Sequence, residues 1–574
     1  MIELFGATIA ILLTWVVLFL IFAGLGLLVR RAFGLSIHCA ENYLLCFWTG
    51  WAIVIAILQV WHLFLPIGWP AFAVISLVGI AGLLWNAHDI WRWIRTKSTR
   101  KLILGSFLFI VAVWLAQRAM MPPLAYDSGL YHLNAVRWAA SYPIVPGLGN
   151  LHGRLAFNSA YFLYVAMLEI GPWIGRSHHL ANGLLFWVLF AQILLSGLNL
   201  LDVRDGWQTK DIFHVLLLPP IIFQSLDINV SSPTPDTAIF ILGIVLTSQL
   251  LNLFSQKDSS SKKIKYDLLV IILIVCIGIT VKLNFAVLGG VSALLAFLFW
   301  FARYRDDQIQ ARKTLAWTAL CMVAIILPWM IRGVILSGYI AYPSTIGAFP
   351  VAWRIPREAA IDEANWIRSW ARAPGIHWNQ VLGNWNWFKP WAYNILKNYF
   401  NVTIPLLLTI GSSLLIFPLR LVKIRKSQTI QWAILTPSLA NLAFWFMTAP
   451  DPRFAGASFW ILGAGAVALA IDRIKQLKRT TLSSATLCLS LILCMIPFRH
   501  MTLYYGPGED HGFHATPRSE LTTFVTRSEV LLYTPQEGDQ CWDAPLPCTP
   551  YPNADLRLRR QGNLGSGFLL ETNE

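Results

Sequence analysis

Charge is what this chain has least of. Asp, Glu, Lys and Arg make up 13% of its 574 residues while 56% are hydrophobic, and the mean hydropathy of +0.58 is far from the balance of soluble proteins. That scarcity excludes an ordinary water-soluble globule and leaves a polytopic membrane protein. Acids are scarcer than bases, 29 against 44, for a net charge of +15. The Lys and Arg residues stand in short clusters between apolar runs rather than on one basic face, so the excess speaks of membrane topology and not of nucleic acid. No glycine-rich phosphate loop and no βαβ pattern occurs, which excludes the usual nucleotide and dinucleotide sites. Met1-Ile2-Glu3 lacks the basic segment that opens a cleaved signal peptide, so the first apolar run is expected to stay as a helix with its N-terminus outside.

What is present instead is a succession of apolar runs. They fall near residues 4–29, 43–64, 69–90, 102–119, 179–201, 212–224, 237–254, 267–281, 284–302, 314–336, 402–419, 429–448, 454–471 and 482–498, about fourteen spans on the twenty-residue criterion. Many of the 27 Trp residues lie near run ends, where an amphipathic ring prefers the headgroup level. Basic residues cluster in alternate loops: Arg30/Arg31, Arg92–Lys101, Arg204/Lys210, Lys257–Lys265, Arg303–Lys313, Arg420–Lys426 and Arg473–Arg479. The positive-inside rule makes these cytoplasmic. The segments 122–178, Asp227–Asp236, Lys282–Asn284, 337–398, Pro450–Arg453 and the tail after Arg499 then share the outer face. Nucleotide donors are not normally available there, so an activated group would arrive on a membrane lipid.

The densest polar stretch on that face is PPLAYDSGLYHLNAVRWAASYPIVPGLGNLHGRLAFNS, residues 122–159. Pro122 and Pro123 end an apolar span, Asp127 follows within a few residues, and Leu130–Ala140 has an amphipathic helical pattern. A turn-rich segment from Pro143 to Gly153 brings His152 and Arg154 back toward the same region. Asp127 reads either as a general base, held near an acceptor hydroxyl and partly desolvated so that its pKa rises, or as an N-cap of the helix beginning near Ser128. Arg137, His132, His152 and Arg154 are candidate substrate contacts. Two His and one Asp leave a divalent metal open, but their separation is no ligand-spacing signature, and hydrogen-bonded loop structure or acceptor contacts account for them more readily.

Tyr126-Asp127 after an early outward-going span, together with Pro328-Trp329-Met330-Ile331-Arg332, Ser337-Gly338 and Tyr342-Pro343, resembles membrane glycosyltransferases of the GT-C superfamily and, distantly, the protein O-mannosyltransferases and aminoarabinose transferases. The LYHL…VPGLGNLHGRLAFNS stretch resembles a largely uncharacterised bacterial branch. The resemblance implies an inverting transfer of a sugar from a polyprenyl-phosphate donor to an envelope glycan or glycolipid acceptor. It implies Asp127 as the base, and a bacterial inner membrane with the site facing the periplasm. A polysaccharide polymerase or ligase, or a transporter of lipid-linked sugars, are the alternatives; charged residues gathered at one face favour an enzyme over a transporter. Four spans precede the acidic loop where the superfamily usually has one, so the first three read as an addition.

A lipid-phosphate leaving group needs fixed cations, and the fork of Arg matches phosphate oxygens. Lys282, Arg332, Arg354, Arg357 and Arg453 are the outer-face candidates. Against that, Lys282 and Arg332 suit snorkelling from helix ends, and Arg453 suits a salt bridge with Asp451. Asp236, with Asp227, sits in a second outer loop resembling one that borders the GT-C cavity, or caps the next helix. The 337–398 loop interleaves Trp and Arg in the manner of interfacial helices or a lid. Six of the eight cysteines lie in or beside apolar runs as packing residues, whereas Cys541 and Cys548 bracket a short tail segment and are expected to form a disulfide. The expected organisation is all-α and polytopic. Residues 1–101 form additional helices; 102–336 form the core with its catalytic first loop 122–178; 337–398 form the Trp/Arg-rich loop; 399–498 form the last helices; and 499–574 form an outer tail.

Overall fold

The computed structural model describes residues 2–570 apart from 37–38, 97, 203–206, 227, 257–259, 305–306, 417–431, 474–478 and 500–507. Asp227 and the Arg420–Lys426 cluster lie outside the described residues. Helices dominate, because apolar runs of membrane length must satisfy every backbone group internally.

The first of these helices is α1 (Ile2–Ala32), with Glu3 in its first turn and Arg30 and Arg31 in its last, the charge order that the helix dipole favours. Its sequence is apolar all round, and burial alone reveals the inner face: Ile11, Trp15, Leu18, Phe22 and Leu25 are buried, a 4-3-4-3 spacing, while Leu13, Val16, Val17 and Leu20 are exposed. Next come α2 (Ala40–Trp61), α3 (Trp69–Trp85), which bends by 64° into α4 (Ala87–Arg95), and α5 (Thr99–Ala119). Small residues let α1, α2 and α3 touch backbone to backbone. A methyl group on Gly50 would stand 1.7 Å from the Phe22 carbonyl oxygen. The N-terminal helices are woven into the rest of the bundle, with the Trp15 indole donating to the Leu180 carbonyl at 3.0 Å. One buried core runs from Ala7 to Phe568.

After the 122–178 loop, with its helix α6 (Leu133–Ser141), come α7 (His178–Leu201), α8 (Pro235–Ser255), α9 (Ser261–Val281), α10 (Phe285–Arg303) and α11 (Gln308–Ser337). The 337–398 loop contains α12 (Arg357–Trp370), and the chain closes its bundle with α13 (Ser458–Arg473) and α14 (Arg479–Phe498). Among the described residues nine helices are long and apolar enough to cross a membrane, or ten with the bent pair as one span. Four of the expected fourteen spans therefore differ. The run at 212–224 is broken into Thr209–Leu216 and Leu218–Leu226 by Pro219 and Pro220, and 402–419, 429–448 and 454–471 hold shorter helices in the described residues.

Ion pairs mark two ends. At one stand Arg31–Asp89 at 3.5 Å, Lys210–Glu41 at 3.0 Å and Arg100–Asp202 at 3.8 Å, all near expected cytoplasmic clusters. At the other, Arg176 pairs closely with Asp510 of the tail, and His511 approaches Glu3 at the start of α1 to 3.9 Å. The tail carries two antiparallel pairs, β1 (Leu521–Val525) with β2 (Leu531–Pro535) and β3 (Leu556–Leu558) with β4 (Phe568–Leu570). Cys541 and Cys548 are bonded in it, with Cα atoms 6.2 Å apart. It covers the 122–178 loop: Trp542 N–H donates to the Gly129 carbonyl at 2.8 Å, Thr549 to the Leu151 carbonyl at 2.9 Å, and Phe568 N–H to the Pro146 carbonyl at 2.9 Å.

Candidate functional site

Two prolines without N–H groups, Pro122 and Pro123, follow the end of α5, and the chain restarts at Tyr126-Asp127 as a helical turn. That turn widens into a π-helical stretch at Ser128–His132 before tightening into α6. The widening accommodates Gly129, where an added Cβ would stand 2.7 Å from the Trp542 ring. Asp127 precedes this turn, yet its side chain makes no capping hydrogen bond. The carboxylate instead turns to two guanidinium groups, Arg154 Nη1 at 3.3 Å from Oδ1 and Arg453 Nη1 at 3.0 Å from Oδ2.

Each arginine is delivered by its own segment. Gly147, at φ +65°, starts the short helix Leu148–Leu151 with the left-handed turn that glycine tolerates, and Gly153–Ala156 then presents Arg154. Arg453 rides on a turn that Asp451 caps by accepting from its N–H at 3.0 Å, and the two side chains also pair, at 3.8 Å. Arg154 reaches a second acid, Glu363 of α12, at 3.4 Å. The result is a chain of alternating charge, Glu363–Arg154–Asp127–Arg453–Asp451. Lys282 and Asp236 form a close pair beside it. Phe454 links the two groups, with Arg453 Cζ 4.8 Å and Lys282 Nζ 4.9 Å from its ring centroid.

The electrostatics differ from the expected raised base. Burial pushes the Asp127 carboxyl up, but His132, Arg453, Arg154 and Lys282 outweigh burial and hold it below the usual carboxylate range. Burial also drives His132 down to about 4, so at neutral pH the imidazole is uncharged and the cations are what keep Asp127 ionised. Glu363 behaves oppositely, because burial, helped by Asp362 and Asp127, raises it in spite of Arg154. Asp236 does not cap its helix, since Thr234 does so by accepting from Asp236 N–H at 3.4 Å.

The remaining candidates are not links of this chain. His132 packs among aromatic rings, 5.1 Å from Phe162 and 4.5 Å from Tyr131. His152 is buried 5.7 Å from Tyr551 and is lowered to about 3 by burial and then by Arg154. His132, His152 and Asp127 do not converge, and no cluster of three metal-ligating acids, histidines or cysteines occurs among the described residues. Arg137 anchors the tail through Asp543 at 3.0 Å and the carbonyl of Ala544 at 2.5 Å. Arg354 is exposed and lies over Gly338, its nearest acceptor the Phe349 carbonyl at 3.5 Å. Arg332 does not snorkel: it is buried, donating through Nε to Asn158 Oδ1 at 3.2 Å and through Nη1 to His62 Nδ1 at 2.5 Å. Asn158 also binds Trp329 twice, giving its amide N–H to the Trp329 carbonyl at 2.7 Å and accepting the indole N–H at 2.9 Å. The two segments LAFNS and PWMIR are thereby clasped together. Sequence reasoning missed Glu363, whose signal was its place in α12 three residues after the buried Ala360, and His62, which sits at the end of an apolar run like any interfacial side chain.

A family model described as a domain of unknown function (DUF8201) matches residues 9–460. The chain belongs to the DUF8201 family. No curated protein and no solved structure matches it. The DUF8201 match takes in every member of the charged chain, from Asp127 to Arg453, and ends before the tail that covers the 122–178 loop.

Proposed function

We propose that this DUF8201 protein is a glycosyltransferase of the bacterial inner membrane, moving a sugar from a polyprenyl-phosphate donor to an envelope glycan or glycolipid at the periplasmic face. One observation carries the reading: Asp127 is gripped by two arginines, one of them 326 residues away in the chain, at one end of a membrane-length helix bundle. Guanidinium forks suit phosphate oxygens, and a carboxylate suits the proton of an acceptor hydroxyl. The lowered pKa of Asp127 fits a coupled sequence. A donor phosphate takes Arg154, Arg453 and Lys282 as its partners, so Asp127 loses the cations that depress it and becomes a better base only when donor is bound. The acceptor hydroxyl then gives its proton to Asp127, its oxygen forms the new bond to the anomeric carbon, and the carbon–oxygen bond to phosphate breaks with the electron pair leaving on phosphate, inverting the anomeric centre.

The test is transfer from a polyprenyl-phosphate sugar in proteoliposomes, wild type against Asp127→Asn. Wild-type transfer that the variant loses, with membrane expression unchanged and melting within a small gap of wild type, supports the reading. A wild-type protein that moves lipid-linked sugar across the bilayer without forming a glycosidic bond would replace it with the transporter. Full transfer by Asp127→Asn would remove the base assignment.

A further inference from the structure

Behind the charged chain, where the 122–178 loop meets α11, lies a cavity of about 40 Å³ whose lining includes Arg332, Arg154, His62, Asn158, Ser159 and Trp138. Among the described residues no carboxylate lines it. Arg332 is only 4% exposed, so its charge has left water. The groups that receive it are neutral. His62 Nε2 lies 3.1 Å from the Tyr142 carbonyl, and a carbonyl only accepts, so Nε2 carries the hydrogen. Nδ1 is then the lone pair that accepts from Arg332 Nη1. His62 is therefore an uncharged imidazole, and the Asn158 amide oxygen that takes Nε is uncharged as well. Those two bonds use Nε and Nη1 and leave Nη2 outside both. A buried guanidinium met only by neutral acceptors is the setting that calls for an anion.

Size narrows what can enter. A water needs about 10–15 Å³ of such volume, so the cavity has room for about three waters. That fits chloride or a single phosphate and excludes a sugar or a nucleotide. Arg154 lines the same cavity while its own bonds run outward to Asp127 and Glu363, so an occupant would sit between the inner arginine and the charged chain.

We infer that this cavity binds one small inorganic anion, chloride or orthophosphate in size, held by Arg332 and Arg154 with the Asn158 and Ser159 side chains around it. The site goes beyond the glycosyltransferase reading and does not need it. Such an anion weakens the grip of Arg154 on Asp127, which ties the salt composition outside the membrane to the state of the charged chain.

Binding is measured on the purified full-length protein exchanged into gluconate, a bulky anion, with radiolabelled chloride and radiolabelled phosphate as separate probes. The expected result is saturable binding near one per chain for one of them at millimolar concentration, with a saturating rise of several degrees in Tm. Arg332→Gln should lose both responses, and Arg332→Lys should retain a weakened one. Ala135→Leu, which places a larger side chain at the cavity wall and leaves Arg332 intact, should lose binding; it decides the matter if Arg332→Gln does not fold. Wild-type protein that binds neither probe overturns the inference. So does a Tm rise that is linear in salt and equal in wild type and Arg332→Gln, the mark of a general solvent effect.

Discussion

Arg453 and Arg332 reach the same end of the bundle and meet opposite surroundings. Arg453 keeps 44% of its side chain exposed and lies between the carboxylates of Asp127 and Asp451, whereas Arg332 is sealed in and donates to an amide and a neutral imidazole. Both looked like outer-face cations available to a phosphate. The difference is made by what folds over each. The loop ending in Asn158 closes on α11 and supplies Arg332 with fixed acceptors, so it has no reason to extend toward water, while the turn at Pro450–Arg453, held by the Trp391 and Trp445 indoles at the Pro450 and Asp451 carbonyls, leaves the Arg453 side chain exposed. A cation at a helix end is a ligand contact or a structural clasp according to the loop above it.

Three substitutions break that comparison at its strongest points. Asp127→Asn keeps the size of the side chain and removes its capacity to take a proton, so transfer should fall by about 10²- to 10⁴-fold, the usual worth of general-base help, with Tm near wild type. Arg332→Ala should instead act on folding. It leaves the Asn158 oxygen and His62 Nδ1 without donors in a buried place, a loss of about 2 kcal/mol, read as a lower Tm. Arg453→Ala should leave Tm almost unmoved, because half-exposed ion pairs are worth about 0–1 kcal/mol, and should weaken use of the lipid donor by about tenfold or more through one lost phosphate contact. If Arg453→Ala lowers Tm and Arg332→Ala does not, the division between the two arginines is wrong.

How much of this was legible in the sequence follows from what each feature depends on. Helices and their ends are local, so apolar runs and alternating basic clusters located the bundle, and residues 122–159 marked themselves by polar crowding. Asp127, Arg154, Asp236, Lys282 and Arg453 do gather. Which face of α1 is buried was not legible, since the helix is apolar on every side and only packing against α2, α3 and α7 chooses Ile11, Trp15 and Leu18. Nor were the long-range partners: Glu363 reaches Arg154 from the 337–398 loop, where tryptophan and arginine dominated the reading, and His62 directly follows α2, a helix that reads as an added element. The sign of the Asp127 shift depended on His132, Arg453, Arg154 and Lys282 gathering around it, because burial alone would have raised it.

The tail offers a smaller contrast. Part of its match to the 122–178 loop comes from the segment that Cys541 and Cys548 bracket, through the Arg137 bonds to the Asp543 and Ala544 carbonyls. Thiol labelling of the denatured full-length protein should find both cysteines unreactive until reductant is added, and reduction should raise protease cleavage around residues 541–548 while the helices melt as before. Label on Cys541 and Cys548 in the untreated protein, eight reactive thiols where the bonded chain has six, would remove the disulfide.

The smallest expected effect is the acid limb of the charged chain, and it sets Asp127 against Glu363. Asp127 is lowered in the folded state, so the stability it contributes is complete above its unfolded value of about 3.9 and is lost as pH falls through the lower folded value. Glu363 is raised, so its share is complete below about 4.3, the unfolded value, and is lost as pH rises through the folded one. The buried His132 and His152, lowered to about 4 and about 3, add a broader loss as pH drops below about 6.5, because the unfolded chain binds the protons that the folded one refuses. The wild-type melting curve should therefore decline below that point whatever Asp127 does, and only a difference isolates the carboxylate. The Tm gap between wild type and Asp127→Asn should stay level from neutral pH down to about 4 and close below it. The gap between wild type and Glu363→Gln should instead grow on the neutral side. A wild-type to Asp127→Asn gap that already closes between pH 6 and 5 would mean that Asp127 titrates as a raised carboxyl, and that Arg154 and Arg453 do not hold it in the way their geometry indicates.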